Sequence, residues 1–174
     1  EGVEALARCD LNQDRIEWQV PVDRPICVVG GDERQVFLNA NRPHDIWLEL
    51  RAYNASGGCD WVFGGDGVLE FPDIDTVTFD ESSVLFTARH TDRARLFCLD
   101  RKDGRERWSD EGSGGMSEPV LGADGTVLCK VQEMRGERKR TVLRCWDVET
   151  GKRLWDMPSK GYVWFHKVCG GPGV

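Results

Sequence analysis

Four tryptophans, Trp18, Trp61, Trp108 and Trp155, divide the chain at intervals of 43, 47 and 47 residues. That spacing constrains the fold more than any other feature. A period of roughly 40–50 residues is the length of one supersecondary unit in a repeat architecture, and such units bury their apolar faces against their neighbours. The stretches leading into the tryptophans share a pattern. RLFCLDRKDGRERW (95–108) sets Asp100, Gly104 and Trp108 at steps of four, and RCWDVETGKRLW (144–155) sets Asp147, Gly151 and Trp155 at the same steps. ARCDLNQDRIEW (7–18) keeps Asp10 and Trp18 in place with Asp14 at the glycine position. LRAYNASGGCDW (50–61) offers Asn54, then Gly57 or Gly58, then Trp61, with one residue missing.

Upstream of each tryptophan lies a second shared pattern. GGDERQVFLNA (30–40), TFDESSVLFTA (78–88) and LGADGTVLCKV (121–131) each pass through an acidic turn into an apolar run. Asp, Gly and Ser turns between short Val, Leu and Phe runs describe hairpins, and no segment sustains a helical period. DRPICVVGG, DTVTFDESS, SEPVLGADG and GYVWFHKVCGG read as first strands, which makes four strands per interval. The expectation is an all-β chain of four-stranded antiparallel sheets, the size of β-propeller blades. Within one partial propeller domain the blades fall at 19–61, 62–108 and 109–155, with partial blades at 1–18 and 156–174. Gly104 and Gly151 supply the positive φ of the last hairpin turn, and Asp14 is a residue type that tolerates it. Each tryptophan then sits on the outer strand, where its ring covers the junction with the next blade.

These residues resemble the PQQ-like repeats of the quinoprotein alcohol dehydrogenase-like β-propellers. Repeats of that family carry a small residue, Asp two positions later, Gly four further on, and Trp after three more. CLDRKDGRERW and CWDVETGKRLW match fully, with Cys98 and Cys145 at the small-residue position, which the resemblance implies is a packing site. WD40 repeats are the nearest rival. They end on Trp-Asp and carry Gly-His near each start, whereas here Asp follows Trp at 146–147 and 155–156 and nowhere in the earlier intervals. Catalytic members of the resembled family hold PQQ over adjacent cysteines with a calcium ion. No two cysteines are adjacent here, so no cofactor is carried over and PQQ is not expected.

Three intervals and the partial ends amount to fewer than four blades, and propellers close with 4–8. The sequence is therefore expected to be a piece of a seven- or eight-bladed propeller, and the absence of a starting Met fits a processed or excerpted chain.

Composition narrows the function classes. A net charge of -7 offers no overall field for nucleic acid or an anionic membrane, and no apolar run approaches a membrane-spanning length. Seven cysteines without CxxC spacing fit neither a zinc site nor a disulfide framework. Small buried thiols in a reducing intracellular compartment are the expectation. The sequon at Asn54-Ala55-Ser56 is too short to argue for secretion.

Asp10, Asn12 and Asp14 alternate like the start of a calcium loop, but Arg15 stands where Gly belongs and Pro21 where Glu belongs. An Asx turn is the expected account. His44, His90 and His166 are too far apart for a helical metal pair, and no GxSxG or GxxxxGK motif is present. One bias stands out in the loops between second and third strands: NRPHD (41–45), ARHTDR (88–93) and EMRGERKR (133–140). Propeller topology puts such loops on one face. Arg42, His44, Arg89, His90, Arg135, Arg138, Lys139 and Arg140 would there form a docking face for an acidic partner, or else a solvated rim. The expected function is a non-catalytic scaffold whose partners are proteins, the remaining blades of the same propeller among them. A quinoprotein-like oxidoreductase or a small-ligand sensor, with active residues in other blades, is the alternative.

Overall fold

The structure is a computed structural model that describes residues 5–10, 12–21, 26–41, 48–64, 74, 76–89, 93–135 and 138–158. The described elements are β-strands throughout. β1 (Ala5–Asp10) and β2 (Arg15–Pro21) form a two-stranded sheet. β3 (Ile26–Gly31), β4 (Gln35–Asn41), β5 (Leu48–Asn54) and β6 (Cys59–Gly64) follow in sequence order as a four-stranded antiparallel sheet. β7 (Val77–Phe79), β8 (Ser83–Arg89), β9 (Ala94–Asp100) and β10 (Glu106–Gly112) repeat that order. So do β11 (Val120–Leu121), β12 (Thr126–Arg135), β13 (Arg138–Asp147) and β14 (Arg153–Pro158). Three sheets of four strands joined by hairpins are propeller blades, as the turn pattern of the sequence predicts. The first strand read at 161–171 lies outside the described residues.

By contacts the chain divides into two compact units: residues 1–73 with 102–104, and residues 74–101 with 105–174. In the first, Leu6, Leu38 and Tyr53 are buried together with Trp18, Val20 and Val36 packed on them. In the second, Leu85, Leu96, Cys98, Val127, Val131 and Trp146 belong to one buried cluster. The middle strands supply these cores because both of their faces are covered. β8 reads SVLFTAR, with Val84, Leu85 and Phe86 consecutive rather than alternating with polar residues, and is buried along nearly its whole length. The last strands alternate poorly and carry charge, as β10 does in ERWSDEG.

The acidic turns between first and second strands are held by side chains. Asp32 Oδ1 accepts the N–H groups of Arg34 (2.9 Å) and Gln35 (3.0 Å), and Asp80 Oδ1 accepts those of Ser82 (2.8 Å) and Ser83 (2.7 Å). An Asx turn of this kind satisfies two backbone donors that a two-residue reversal would leave open. Between β7 and β11 the Thr78 hydroxyl donates to Pro119 O at 2.8 Å, so these two short first strands lie side by side. That is where first strands of neighbouring blades belong in a propeller.

A candidate interaction site built from tryptophan and glycine

The hairpin before each tryptophan is built the same way four times. In the pairing of β1 with β2, Trp18 lies opposite Arg8 and the next pair is Cys9 with Ile16. Trp61 lies opposite Ala52, Trp108 opposite Cys98 and Trp155 opposite Cys145. In every case the residue before the tryptophan, Glu17, Asp60, Arg107 or Leu154, is skipped by the register as the extra residue of a β-bulge. The bulge reorients the outer strand so that the next side chain is the indole. It also gives a physical reason for a small residue at 52, 98 and 145, because each faces a tryptophan across the ladder. Cys98 and Cys145 are buried, and burial pushes the Cys98 thiol up to about 11 and the Cys145 thiol upward.

The turn itself depends on the acidic residue and the glycine. Asp147 Oδ1 accepts from Thr150 N (2.8 Å) and Thr150 Oγ1 (2.6 Å), which holds the Asp147 carboxyl below the usual carboxylate range. Gly151 N donates to Asp147 O at 2.9 Å with φ +68°, and Gly104 adopts +71°. Asn54 does the same work in the shorter copy, its Oδ1 accepting from Ser56 N (2.9 Å) and Gly58 N (3.0 Å), and Gly57 takes the positive φ of +83°. Asp10 Oδ1 accepts from Asn12 N (2.9 Å) and Gln13 N (3.2 Å), so the calcium-like run is an Asx turn, and Asp14 takes φ +49°.

Each of these glycines then meets the tryptophan of the preceding repeat. A Cβ placed on Gly151 would stand 2.5 Å from the Trp108 ring, and one on Gly104 would stand 2.6 Å from the Trp61 ring. One on Gly57 would stand 3.0 Å from Trp18. The Lys102–Gly104 turn belongs by its contacts to the first unit, with Trp61. Trp108 Nε1 donates to Val148 O at 2.7 Å and Trp18 Nε1 to Ala55 O at 2.6 Å, so indole and turn are joined by packing and by a hydrogen bond. The second face of the same turn is anchored within its own blade. Val148 N donates to Gly125 O at 2.9 Å, and Arg101, buried over the Phe79 ring, donates to Asp80 O at 2.8 Å.

Sequence reasoning missed a set of buried charges. Arg144, 2% exposed, forms a bidentate pair with Asp156 (2.7 and 2.9 Å) and a further ion pair with Glu133, beneath the Trp146 ring. These bonds hold the Asp156 carboxyl below its ordinary range. Arg51 pairs with Glu49 at 2.7 Å in the sheet of β3 to β6. Both arginines immediately precede the small residue of their repeat, Ala52 or Cys145, and aligning the repeats would have exposed that signal. Asp110 Oδ2 accepts from Trp146 Nε1 (2.8 Å) and from Arg153 (3.3 Å), linking β10 to β13 and β14.

The basic loop residues are distributed as follows. Arg42, His44 and His90 lie outside the described residues, as does His166. Arg89 ends β8 opposite Ala94. Arg135 faces Arg138 across the β12–β13 hairpin, Lys139 faces Met134 and Arg140 faces Glu133. This one hairpin therefore gathers four of the basic residues. Among the described residues no group of three or more His, Cys, Asp or Glu is placed to hold a metal ion. Nor, among them, is any helix long and apolar enough to cross a membrane.

The geometry of repeated bulge, turn and indole agrees with comparison to known proteins. The family model PQQ_2, described as outer membrane protein assembly factor BamB, matches residues 49–162. The chain belongs to this family. WD40 repeats are thereby set aside. Among solved structures, BamB from Moraxella catarrhalis is similar at a TM-score of 0.57 and 21% identity, over 81% of this chain and 39% of that one. An uncharacterized protein of Listeria monocytogenes, lmo1340, is similar at a TM-score of 0.53 and 12% identity, over 75% of this chain and 40% of that one. At these identities the likeness is one of fold, and the PQQ_2 chain spans about two fifths of each of those structures. Comparison with curated proteins finds no match.

Proposed function

We propose that this PQQ_2 chain is a non-catalytic protein-interaction module, a set of propeller blades that serves as part of an assembly scaffold. The observation that carries the reading is the use to which its polar residues are put. Asp10, Asp147 and Asn54 close turns, and Asp156 and Glu133 neutralise the buried Arg144 across β12, β13 and β14. Those groups are spent on the fold rather than poised for acid–base or nucleophilic work. The family description, an assembly factor, supports the same reading. Its partner surface is proposed at the loops between second and third strands, where Arg138, Lys139 and Arg140 follow one another at the end of one hairpin and would suit an acidic protein.

Two measurements test it together. A photo-crosslinking side chain at Lys139 is expected to give discrete protein adducts, lost when Arg138 and Arg140 are changed to Glu. PQQ with calcium is expected to give no dye reduction. Adducts unaffected by charge reversal would remove the proposed face, and cofactor-dependent dye reduction would replace the scaffold reading with an oxidoreductase.

A further inference from the structure

The ladder between β12 and β13 is longer than its counterparts. The β4–β5 ladder runs seven pairs, from Gln35 with Asn54 to Asn41 with Leu48, and the β8–β9 ladder runs seven, from Ser83 with Asp100 to Arg89 with Ala94. The β12–β13 ladder starts at the equivalent pair, Thr126 with Asp147, and runs ten. Its three additional pairs are Glu133 with Arg140, Met134 with Lys139 and Arg135 with Arg138, and they lengthen the sheet by about 10 Å. A neighbouring sheet with a seven-pair ladder stops short of them.

The extension is braced by the connector after β10. Gln132 N donates to Gly115 O at 2.7 Å and Met134 N to Ser113 Oγ at 3.1 Å. Gly114 is needed in that approach, because a Cβ on it would stand 2.5 Å from Gln132 O. This edge of β12 is thereby occupied, and what a partner meets is a face of the extension. The two faces differ through the alternation of the strand. Glu133 and Arg140 share the face of Arg144, which already binds the Glu133 carboxylate. Met134 and Lys139 share the other face with Gln132 and Thr141. Met134 is 45% exposed, and Gln132 and Lys139 are exposed beside it. A thioether side chain and an ammonium side chain thus start roughly 5 Å apart, directly opposite each other across the ladder.

We propose that the Met134–Lys139 pair anchors an extended acidic segment of a partner protein, which seats an apolar side chain on Met134 and a carboxylate, two residues away, on Lys139. Residues two apart on an extended strand point to one side about 7 Å from each other, which spans the pair. An unbranched thioether adapts to the apolar group that meets it. The charge balance of residues 133–140 suits an acidic segment: Arg135, Arg138, Lys139 and Arg140 stand against Glu133 and Glu137, and Glu133 is engaged by Arg144. Bracing by Ser113 and Gly115 lowers the ordering cost of docking. The inference rests on the scaffold reading for there being a protein partner. It adds what that reading does not require, an apolar contact at one named residue.

The test titrates the whole chain, methyl-labelled at methionine, with capped peptides of equal length and follows the methyl signals by NMR, with Met134 assigned from Met134→Leu. One peptide is acidic with a central leucine, a second has alanine in place of that leucine, and a third has lysines in place of the acidic residues. The expected result is a saturable shift of the Met134 methyl with the leucine peptide, a requirement for about tenfold more of the alanine peptide, and no shift with the lysine peptide. Lys139→Glu is expected to abolish the shift while the buried Met116 methyl stays where it is, which shows the fold intact. Equal potency of the leucine and alanine peptides overturns the anchor and leaves the basic partner face of the scaffold reading standing. No shift with the leucine peptide, or an equal shift with the lysine peptide, also overturns it. Charge-sensitive crosslinks at Lys139 report on the scaffold reading separately, so either reading is able to fail alone.

Discussion

Trp108 Nε1 donates to Val148 O at 2.7 Å while the Trp108 ring lies where a Cβ on Gly151 would stand, 2.5 Å away. One glycine therefore serves two ends. It gives the turn its left-handed residue, and it leaves room for an aromatic ring from the preceding repeat.

These two roles are separable by mutation. Gly125 also has positive φ, +75°, but nothing lies within 4 Å of a Cβ there. Gly125→Ala is expected to cost about 1 kcal/mol, the backbone penalty alone. Gly104→Ala and Gly151→Ala add a steric conflict with a packed ring and are expected to cost about 2–4 kcal/mol in urea denaturation. Equal losses at all three positions would show that the ring contact contributes nothing.

The ion cluster around the buried Arg144 predicts an acid sensitivity. Arg144 depresses the folded-state titration of Asp156, so the stabilisation is present above the unfolded carboxylate range near about pH 4 and is lost as pH falls through the folded value. Asp156→Asn leaves Arg144 with Glu133 and one weakened partner, and is expected to cost about 1–3 kcal/mol at pH 7. That deficit is expected to shrink as pH falls through the lowered folded-state value, where the wild-type carboxylate is itself protonated. A deficit independent of pH would show a packing effect rather than a charge effect.

Cysteine reactivity follows burial. Cys9, Cys27 and Cys59 are exposed free thiols, and Cys98, Cys129 and Cys145 are buried ones. At pH 8 a disulfide reagent is expected to modify the exposed three promptly and the buried three only on unfolding. Because the Cys98 thiol is raised to about 11 in the fold, its contribution to stability is full below about pH 8 and declines from the unfolded value near about 8.5 up to 11. Prompt modification of Cys98 or Cys145, identified by mass spectrometry, would contradict their place opposite Trp108 and Trp155.

The blade architecture was legible because its turns are chemically specific. Asp and Gly at fixed steps before a tryptophan encode an Asx-stabilised reversal, and two full copies with two degraded ones imply repetition. The strand order followed from hairpin connections without any long-range information. The bulge before each tryptophan was not legible, since Glu17, Asp60, Arg107 and Leu154 share no chemistry: the extra residue is defined by register, not by side chain. The partner of each indole was equally hidden. The sequence assigns the tryptophan to a junction, but only the structure puts the glycine of the next repeat against it. Arg144 escaped notice because a charged residue reads as surface until its two carboxylates, at 133 and 156, are brought together by strand pairing.

Hydrogen exchange at the indole N–H groups of the unmodified chain tests the central claim, that each tryptophan is locked to the turn of the following repeat. Trp18 and Trp108 donate to carbonyls of such turns and are expected to exchange slowly, while the exposed Trp155 exchanges at close to the rate of a free indole. Fast exchange at Trp108, or protection at Trp155 equal to that at Trp108, would contradict the account.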